Sequence, residues 1–154
     1  MKKMKINFET MKFSRTRISE LIEPLSVKQF NKIPEGLNTN IIWNIGHILA
    51  SQQLFMYKKT NLPFTIDSEI ITKYKSGSKV PTNVSEEEIN QIKGLLFSTL
   101  EQVERDYYDS TFMQFESFTT KRGVPIETIE DAVSFHTFHE GVHLGWLWTI
   151  SKLM

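Results

Sequence analysis

The sequence predicts an all-α protein, a four-helix bundle with a long connection between its second and third helices. Four long segments place apolar residues three and four positions apart, the spacing of an α-helix with one buried face. Proline, glycine and asparagine fall between these segments, where helices usually end. A chain of 154 residues has the size of one domain, so we expect positions 1–154 to fold as a single bundle.

The first two predicted helices occupy the N-terminal part of the chain. Apolar periodicity places helix one at Phe8 to Leu25, and a short helical turn is expected at Val27 to Phe30. The stretch Asn38-Thr39-Asn40 offers good capping chemistry, so helix two is expected from Ile41 to Lys59. The sequence Asn61-Leu62-Pro63 then stops it.

The other two helices follow the long connection, which is expected to hold a helical turn or two at Ser68 to Tyr74. Helix three starts at Ser85, where Glu88 completes a capping-box pattern, and continues to Tyr107. Helix four is expected from Glu127 to Lys152. Between them, Phe112 to Lys121 suits either a loop or a short strand pair, and we predict a loop.

Composition excludes several classes of function. Eighteen basic residues balance eighteen acidic ones, so no global field attracts nucleic acid or an anionic membrane, and the basic cluster Lys2, Lys3 and Lys5 is expected to be a solvated tail. The absence of cysteine excludes disulfides, thiolate metal sites and cysteine nucleophiles. No signal-peptide or membrane-spanning run is present, so a cytoplasmic, cofactor- or metal-dependent domain is expected.

Three of the four histidines lie on one face of helix four. At about 100° per residue, His143 lies about 40° from His139, and His136 about 60° from it. This face also carries the apolar stripe that must turn inward. Three buried imidazoles need several hydrogen-bond partners, whereas one metal ion satisfies them together. The spacing therefore predicts metal binding.

The segment His139 to His143, HEGVH, also fits the zinc-protease pattern H-E-x-x-H. That interpretation requires a third ligand downstream, but the eleven residues after His143 include no His, Asp, Glu or Cys. The remaining histidine, His47, interrupts the apolar helix two and is the candidate third ligand. Its neighbour Gly46 costs about 1 kcal/mol relative to alanine within a helix, which indicates that another group approaches closely there.

The motifs WNIGH (Trp43 to His47) and HTFHEGVHLGW (His136 to Trp146) resemble the DinB-like superfamily of damage-inducible four-helix bundles, which includes YfiT-like bacillithiol S-transferases. The resemblance spans essentially the whole chain. It implies that His47, His139 and His143 hold a divalent metal on the bundle axis. It also implies transfer of a low-molecular-weight thiol to a small electrophile, or a related metal-assisted hydrolysis, and a homodimer.

The chain departs from the family pattern after His143. Relatives often continue with Arg-Gly-Gln, where this chain has Leu144-Gly145-Trp146. Polar contacts from those two side chains to a substrate or partner are therefore in doubt. For His136 the resemblance leaves three roles open: a substrate-side group, a group behind the ligands, or a fourth imidazole.

Glu140 and His136 are the candidate proton-handling, catalytic residues. Glu140 lies about 100° from His139 around the helix, so a salt bridge or a solvent contact is at least as well supported as a catalytic role. Phe135 and Phe138 flank His136; they are either core residues or the mouth of a pocket above the metal. Trp43, one turn before His47, is expected to anchor the core.

Two further readings compete with a metal-dependent enzyme acting on a small molecule. One is a non-catalytic bundle, a binding or stress protein whose metal only ties two helices together; the other is a partner-binding protein with a vestigial site. An open position facing a pocket favours the enzyme, and a closed four-ligand site favours the structural role. Imidazole suits zinc, nickel, iron and copper alike, and zinc or nickel is expected here.

Overall fold

The computed structural model describes residues 4–154, which form six α-helices and one two-stranded antiparallel sheet. Lys2 and Lys3 of the expected tail lie outside these residues. The elements are α1 (Lys5–Ile22), α2 (Val27–Asn31), α3 (Ile41–Gln52), α4 (Ser68–Tyr74), α5 (Glu86–Tyr108), β1 (Phe118–Thr119), β2 (Pro125–Ile126) and α6 (Ile129–Lys152).

The four predicted long helices correspond to α1, α3, α5 and α6, and their ends follow the capping chemistry. Ser85 accepts a hydrogen bond from the Glu88 amide at the start of α5. At α6, Thr128 and Asp131 form a capping box, which explains why the helix begins at Ile129 and not at the predicted Glu127. Helix α1 begins at Lys5 and ends three residues before the predicted Leu25.

The predicted second helix changes its hydrogen-bonding pattern partway along. Regular α-helix ends at Gln52, and the chain continues as a π-helical turn (Gln53–Tyr57) and a 3₁₀ turn (Lys58–Thr60). Asn61 then adopts a left-handed conformation with φ 56°, which ends the helix. Apolar periodicity shows which side chains face inward but does not reveal a switch of bonding register, so the sequence did not predict the π turn.

The loop predicted for Phe112 to Lys121 is wrong in its second half. Strand β1 pairs with β2 in the register Phe118 to Ile126 and Thr119 to Pro125, so residues 118–126 form a β-hairpin. Thr120 and Val124 close its turn through a 2.9 Å backbone hydrogen bond, and Gly123 supplies φ 87°. Strands of two residues are too short to show an alternating pattern in the sequence.

The long helices pack in a closed order around the core. Helix α1 lies against α5 and α6, while α3 lies against α5 and α6 from the other side and also contacts α4. Helix α3 contributes several completely buried isoleucines to this core, including Ile41, Ile45 and Ile48. Among the described helices, none is sufficiently long and apolar to cross a bilayer. This packing brings the inner faces of α3 and α6 together.

Candidate metal centre

The structure brings His47, His139 and His143 together between α3 and α6. One ligand nitrogen from each ring lies within 4.8 Å of the other two. The Nε2 atoms of His139 and His143, one turn apart on α6, are separated by 3.2 Å. His136 lies outside this group of three, although its ring centroid is 5.8 Å from that of His139.

Tyr74, at the end of α4, fixes the orientation of His47. The Nδ1 atom of His47 lies 2.8 Å from the Tyr74 carbonyl oxygen. A carbonyl only accepts hydrogen bonds, so Nδ1 carries the proton and Nε2 is the nitrogen that bears the lone pair. That Nε2 atom is 3.3 Å from the Ser51 hydroxyl. The half-buried Trp43 indole packs against the core as expected, and it also stacks on the His47 ring with 4.6 Å between the ring centroids.

Asn44 performs the same role for His143. Its amide nitrogen donates to Thr39 Oγ1 at 2.8 Å and to the Asn40 carbonyl at 2.7 Å, which identifies Oδ1 as the acceptor atom. Oδ1 lies 2.8 Å from His143 Nδ1, so that nitrogen is the donor. The Nε2 lone pair of His143 therefore also points into the cluster. Partners of this kind orient metal-binding histidines in proteins.

His139 is held by aromatic contacts instead. Its ring lies 5.9 Å from Phe55 and 6.4 Å from Phe135, measured between ring centroids. Its Nδ1 atom is buried and has no hydrogen-bond partner within residues 4–154. No neighbouring group therefore holds His139 Nδ1 as the protonated nitrogen, unlike the Nδ1 atoms of His47 and His143.

All three histidines are held in the neutral form. Burial is the main cause: it lowers the pKa of His47, brings the pKa of His139 to about 2, and brings that of His143 to about 3. Repulsion between the rings adds to the effect on His139 and His143. Neutral imidazole is the form that binds metals, so the donor set and its protonation fit a divalent metal ion such as zinc.

Directly behind the cluster, Glu140 forms a buried ion pair with Arg15 of α1. Glu140 Oε1 accepts from Arg15 Nε at 3.0 Å and Nη2 at 2.5 Å, and neither side chain is exposed. His136 Nε2 lies 3.1 Å from the same oxygen. Burial raises the pKa of Glu140, but Arg15 and His136 outweigh it and bring that pKa to about 2. Glu140 is therefore a carboxylate that joins α6 to α1.

A surface pocket of about 680 Å³ opens onto the cluster, with His47 and His139 in its wall. Phe135 and Phe138 line it, and Phe135 also packs against the core. The remaining lining residues come from α3, the π turn, the segment after α4 and the hairpin: Ser51, Leu54, Phe55, Ser76, Phe118, Thr119, Thr120, Lys121, Arg122 and Val124. The hairpin that the sequence did not predict thus forms one side of this pocket.

Sequence reasoning missed the residues that orient the ligands. Asn44 had a readable signal, because it is a polar residue three positions before His47 in an otherwise apolar helix. Arg15 had one too, since it lies in the apolar stripe between Met11 and Ile18. The Tyr74 carbonyl had none, because every residue has a carbonyl group. Gly46 is as expected: a Cβ added there would lie 2.4 Å from Tyr74 Cγ.

One protein-family model matches most of the chain, including the part that contains this site. The family model described as the DinB superfamily matches residues 10–147, which include all three clustered histidines. Neither the curated proteins nor the solved structures gave a significant match to the chain.

Proposed function

This chain belongs to the DinB superfamily, and we propose that it is a divalent-metal-dependent enzyme acting on a small molecule at the three-histidine cluster. One observation carries the proposal: His47 is buried and His139 is half-buried, yet both are part of the wall of a surface pocket. A ligand in that pocket reaches the cluster directly. A site that served only to tie helices together would not need such access.

The metal would be bound by His47, His139 and His143, and the expected ion is zinc or nickel. Bound to three neutral imidazoles, such an ion keeps its full charge, which activates a thiol or a water molecule. We propose that the reaction is transfer of a low-molecular-weight thiol to a small electrophile, with a related metal-assisted hydrolysis as the alternative. The pocket lining includes the apolar side chains of Phe55 and Phe118, which would pack against the substrate.

Glu140 and His136 remain the candidate residues for proton handling, and their positions favour an indirect role. Both are completely buried, and neither lines the pocket. We infer that the Arg15–Glu140 pair positions His139, which is next to Glu140 in sequence. Ser51, at 3.3 Å from His47 Nε2 and in the pocket wall, is the hydroxyl that a substrate meets beside the cluster.

We also propose a fold, an oligomeric state and a cellular location for the protein. The closed order of packing of α1, α5, α3 and α6 supports a four-helix bundle. We further propose that the protein is a cytoplasmic homodimer and that it binds neither nucleic acid nor membranes.

A non-catalytic bundle with a structural metal is the second candidate, and the position of His136 bears on it. A structural zinc site is usually closed by four protein ligands. Here His136 is the only other histidine of the chain, and it faces Glu140 outside the group of three. The geometry thus supports an open coordination position more than a closed one.

Elemental analysis of purified protein tests the proposal, with the wild type beside His47→Ala and His136→Ala. We expect one metal ion per chain in the wild type and in His136→Ala, and none in His47→Ala. The metal-loaded wild type is then screened for thiol transfer to small electrophiles. Loss of metal from His136→Ala would instead support a closed structural site with four ligands. A wild type that holds no metal after loading with zinc or nickel would refute the proposal of a metal-dependent enzyme.

A further inference from the structure

The pocket over the histidine cluster is lined by two chemically different groups of side chains. One group is aromatic: Phe55 of the π turn, Phe118 of the hairpin, and Phe135 and Phe138 of α6. The other group is basic: Lys121 and Arg122 of the hairpin turn. None of the described lining residues carries a carboxylate.

Lys121 makes a hydrogen bond to another residue of the pocket wall. Its Nζ atom donates a hydrogen bond to Ser76 Oγ at 3.2 Å. Ser76 lies two residues after Tyr74, the residue whose carbonyl binds His47. An ammonium group has three N–H donors, so Lys121 keeps donors for a ligand after bonding Ser76.

The hairpin that carries these charges is tied to the rest of the pocket. The ammonium of Lys59, in the 3₁₀ turn, lies 5.1 Å from the centre of the Phe118 ring. Lys59 also contacts Glu116 at 3.1 Å, and its carbonyl accepts from the Glu116 amide at 2.7 Å. The nearest acidic residue before the hairpin therefore already has a cationic partner. With neutral histidines below, the pocket presents positive charge to a ligand.

We propose that Lys121 and Arg122 form an anion-binding subsite, and that the pocket takes a small aromatic carboxylate. The carboxylate lies at the hairpin turn and the ring lies against Phe55, Phe118 and Phe135. The volume of about 680 Å³ suits a molecule of this size. That the ligand is a substrate rests on the proposed function, whereas the subsite itself does not require it.

Isothermal titration calorimetry with 2-naphthoate and its neutral amide, 2-naphthamide, tests the subsite. Zinc-loaded wild type is compared with the double variant Lys121→Gln/Arg122→Gln and with Lys152→Gln, which removes an exposed lysine that does not line the pocket. We expect the wild type and Lys152→Gln to bind naphthoate about fivefold more tightly than naphthamide, because each exposed charge pair contributes up to about 1 kcal/mol. The double variant is expected to lose this preference and to bind naphthamide as the wild type does.

The same titrations on metal-free protein separate the subsite from the metal. A preference for naphthoate that persists without zinc and depends on Lys121 and Arg122 supports the subsite, even if the enzyme proposal fails. A preference that is lost when zinc is removed, and that is unchanged in the zinc-loaded double variant, overturns the subsite. The metal, and not the two basic side chains, then binds the carboxylate. Equal binding of both probes by the wild type overturns it as well, while leaving zinc stoichiometry to decide the proposed function.

Discussion

The ring of Tyr74 packs directly against the backbone of Gly46, and its carbonyl accepts the hydrogen bond that orients His47. One residue of α4 thus both fills the space left by a missing Cβ and fixes a metal ligand. The close packing of α4 on α3 depends on the first contact, and the tautomer of His47 depends on the second.

Gly46→Ala should therefore weaken both folding and zinc binding. The added Cβ would lie 2.4 Å from Tyr74 Cγ, so the ring and the attached backbone must move. We expect a net loss of about 1–2 kcal/mol in the free energy of unfolding, since overpacking outweighs the better helix propensity of alanine. Urea unfolding and zinc competition with a chromophoric chelator measure the two effects.

Gly94→Ala is the matched control for that variant. Gly94 is an exposed glycine in α5, and a Cβ there meets nothing within 4 Å. The substitution Gly94→Ala should stabilise the protein by up to about 1 kcal/mol and leave zinc affinity unchanged. Equal stability and equal zinc affinity in the two variants would show that Tyr74 does not constrain Gly46.

Asn44→Ala should lower zinc affinity by about 10–100-fold, the usual effect of losing a group that orients a ligand. Without the Oδ1 acceptor, His143 is free to rotate and to take the other tautomer. Asn44→Asp keeps an acceptor for His143 Nδ1 but loses the donor to Thr39, so it should retain more affinity than the alanine variant. Identical zinc affinities in the alanine and aspartate variants would exclude orientation of His143 as the cause.

Removing one member of the buried Arg15–Glu140 pair should destabilise the protein by about 3–5 kcal/mol, because the remaining buried charge loses its ion-pair partner. The double variant Arg15→Met/Glu140→Leu should lose much less than the sum of Arg15→Met and Glu140→Leu. Urea unfolding of the four proteins gives the coupling free energy.

Arg17→Ala is the control for the same helix. Arg17 contacts Glu20 at 2.7 Å, but both side chains are more than half exposed. Its loss should change stability by less than about 1 kcal/mol. Additive effects of Arg15→Met and Glu140→Leu would mean that the buried pair does not act as a unit.

The stability of metal-free protein should fall as the pH is lowered from about 6.5. Below the ordinary histidine pKa of about 6.5 the unfolded chain binds protons. The folded chain does not, because the pKa of His139 is about 2 and that of His143 about 3. The free energy of unfolding should therefore decrease by up to about 1.4 kcal/mol per pH unit for each such histidine, down to about pH 3.

Denaturant titrations between pH 4.5 and 7.5 measure this slope, above the range in which Glu140 contributes strongly. His139→Phe and His143→Phe should each have a shallower dependence than the wild type. A slope that is unchanged in both variants would show that these rings are not held neutral by burial.

The clustering of the histidines was predictable from the sequence because it follows from helix geometry. Spacings of three and four residues put His136, His139 and His143 on one face, and His47 was the only histidine left to join them. The contacts that orient these rings were not predictable, because the Tyr74 carbonyl comes from the end of α4, 27 residues away, and every residue has a carbonyl group. The hairpin was missed for a related reason: its strands are defined by pairing with each other and not by a local pattern.

Each fixed contact of α6 with the rest of the site joins distant parts of the chain. Glu140 meets Arg15 across 125 positions, and His143 meets Asn44 across 99. Contacts of such long sequence separation form slowly, since the intervening chain must lose much of its freedom first. On a growing polypeptide, Arg15 and His47 therefore wait for their partners until α6 has been synthesised. Metal capture by the three histidines, as proposed above, would then be a late event in folding, and bound metal would mark chains that have completed it.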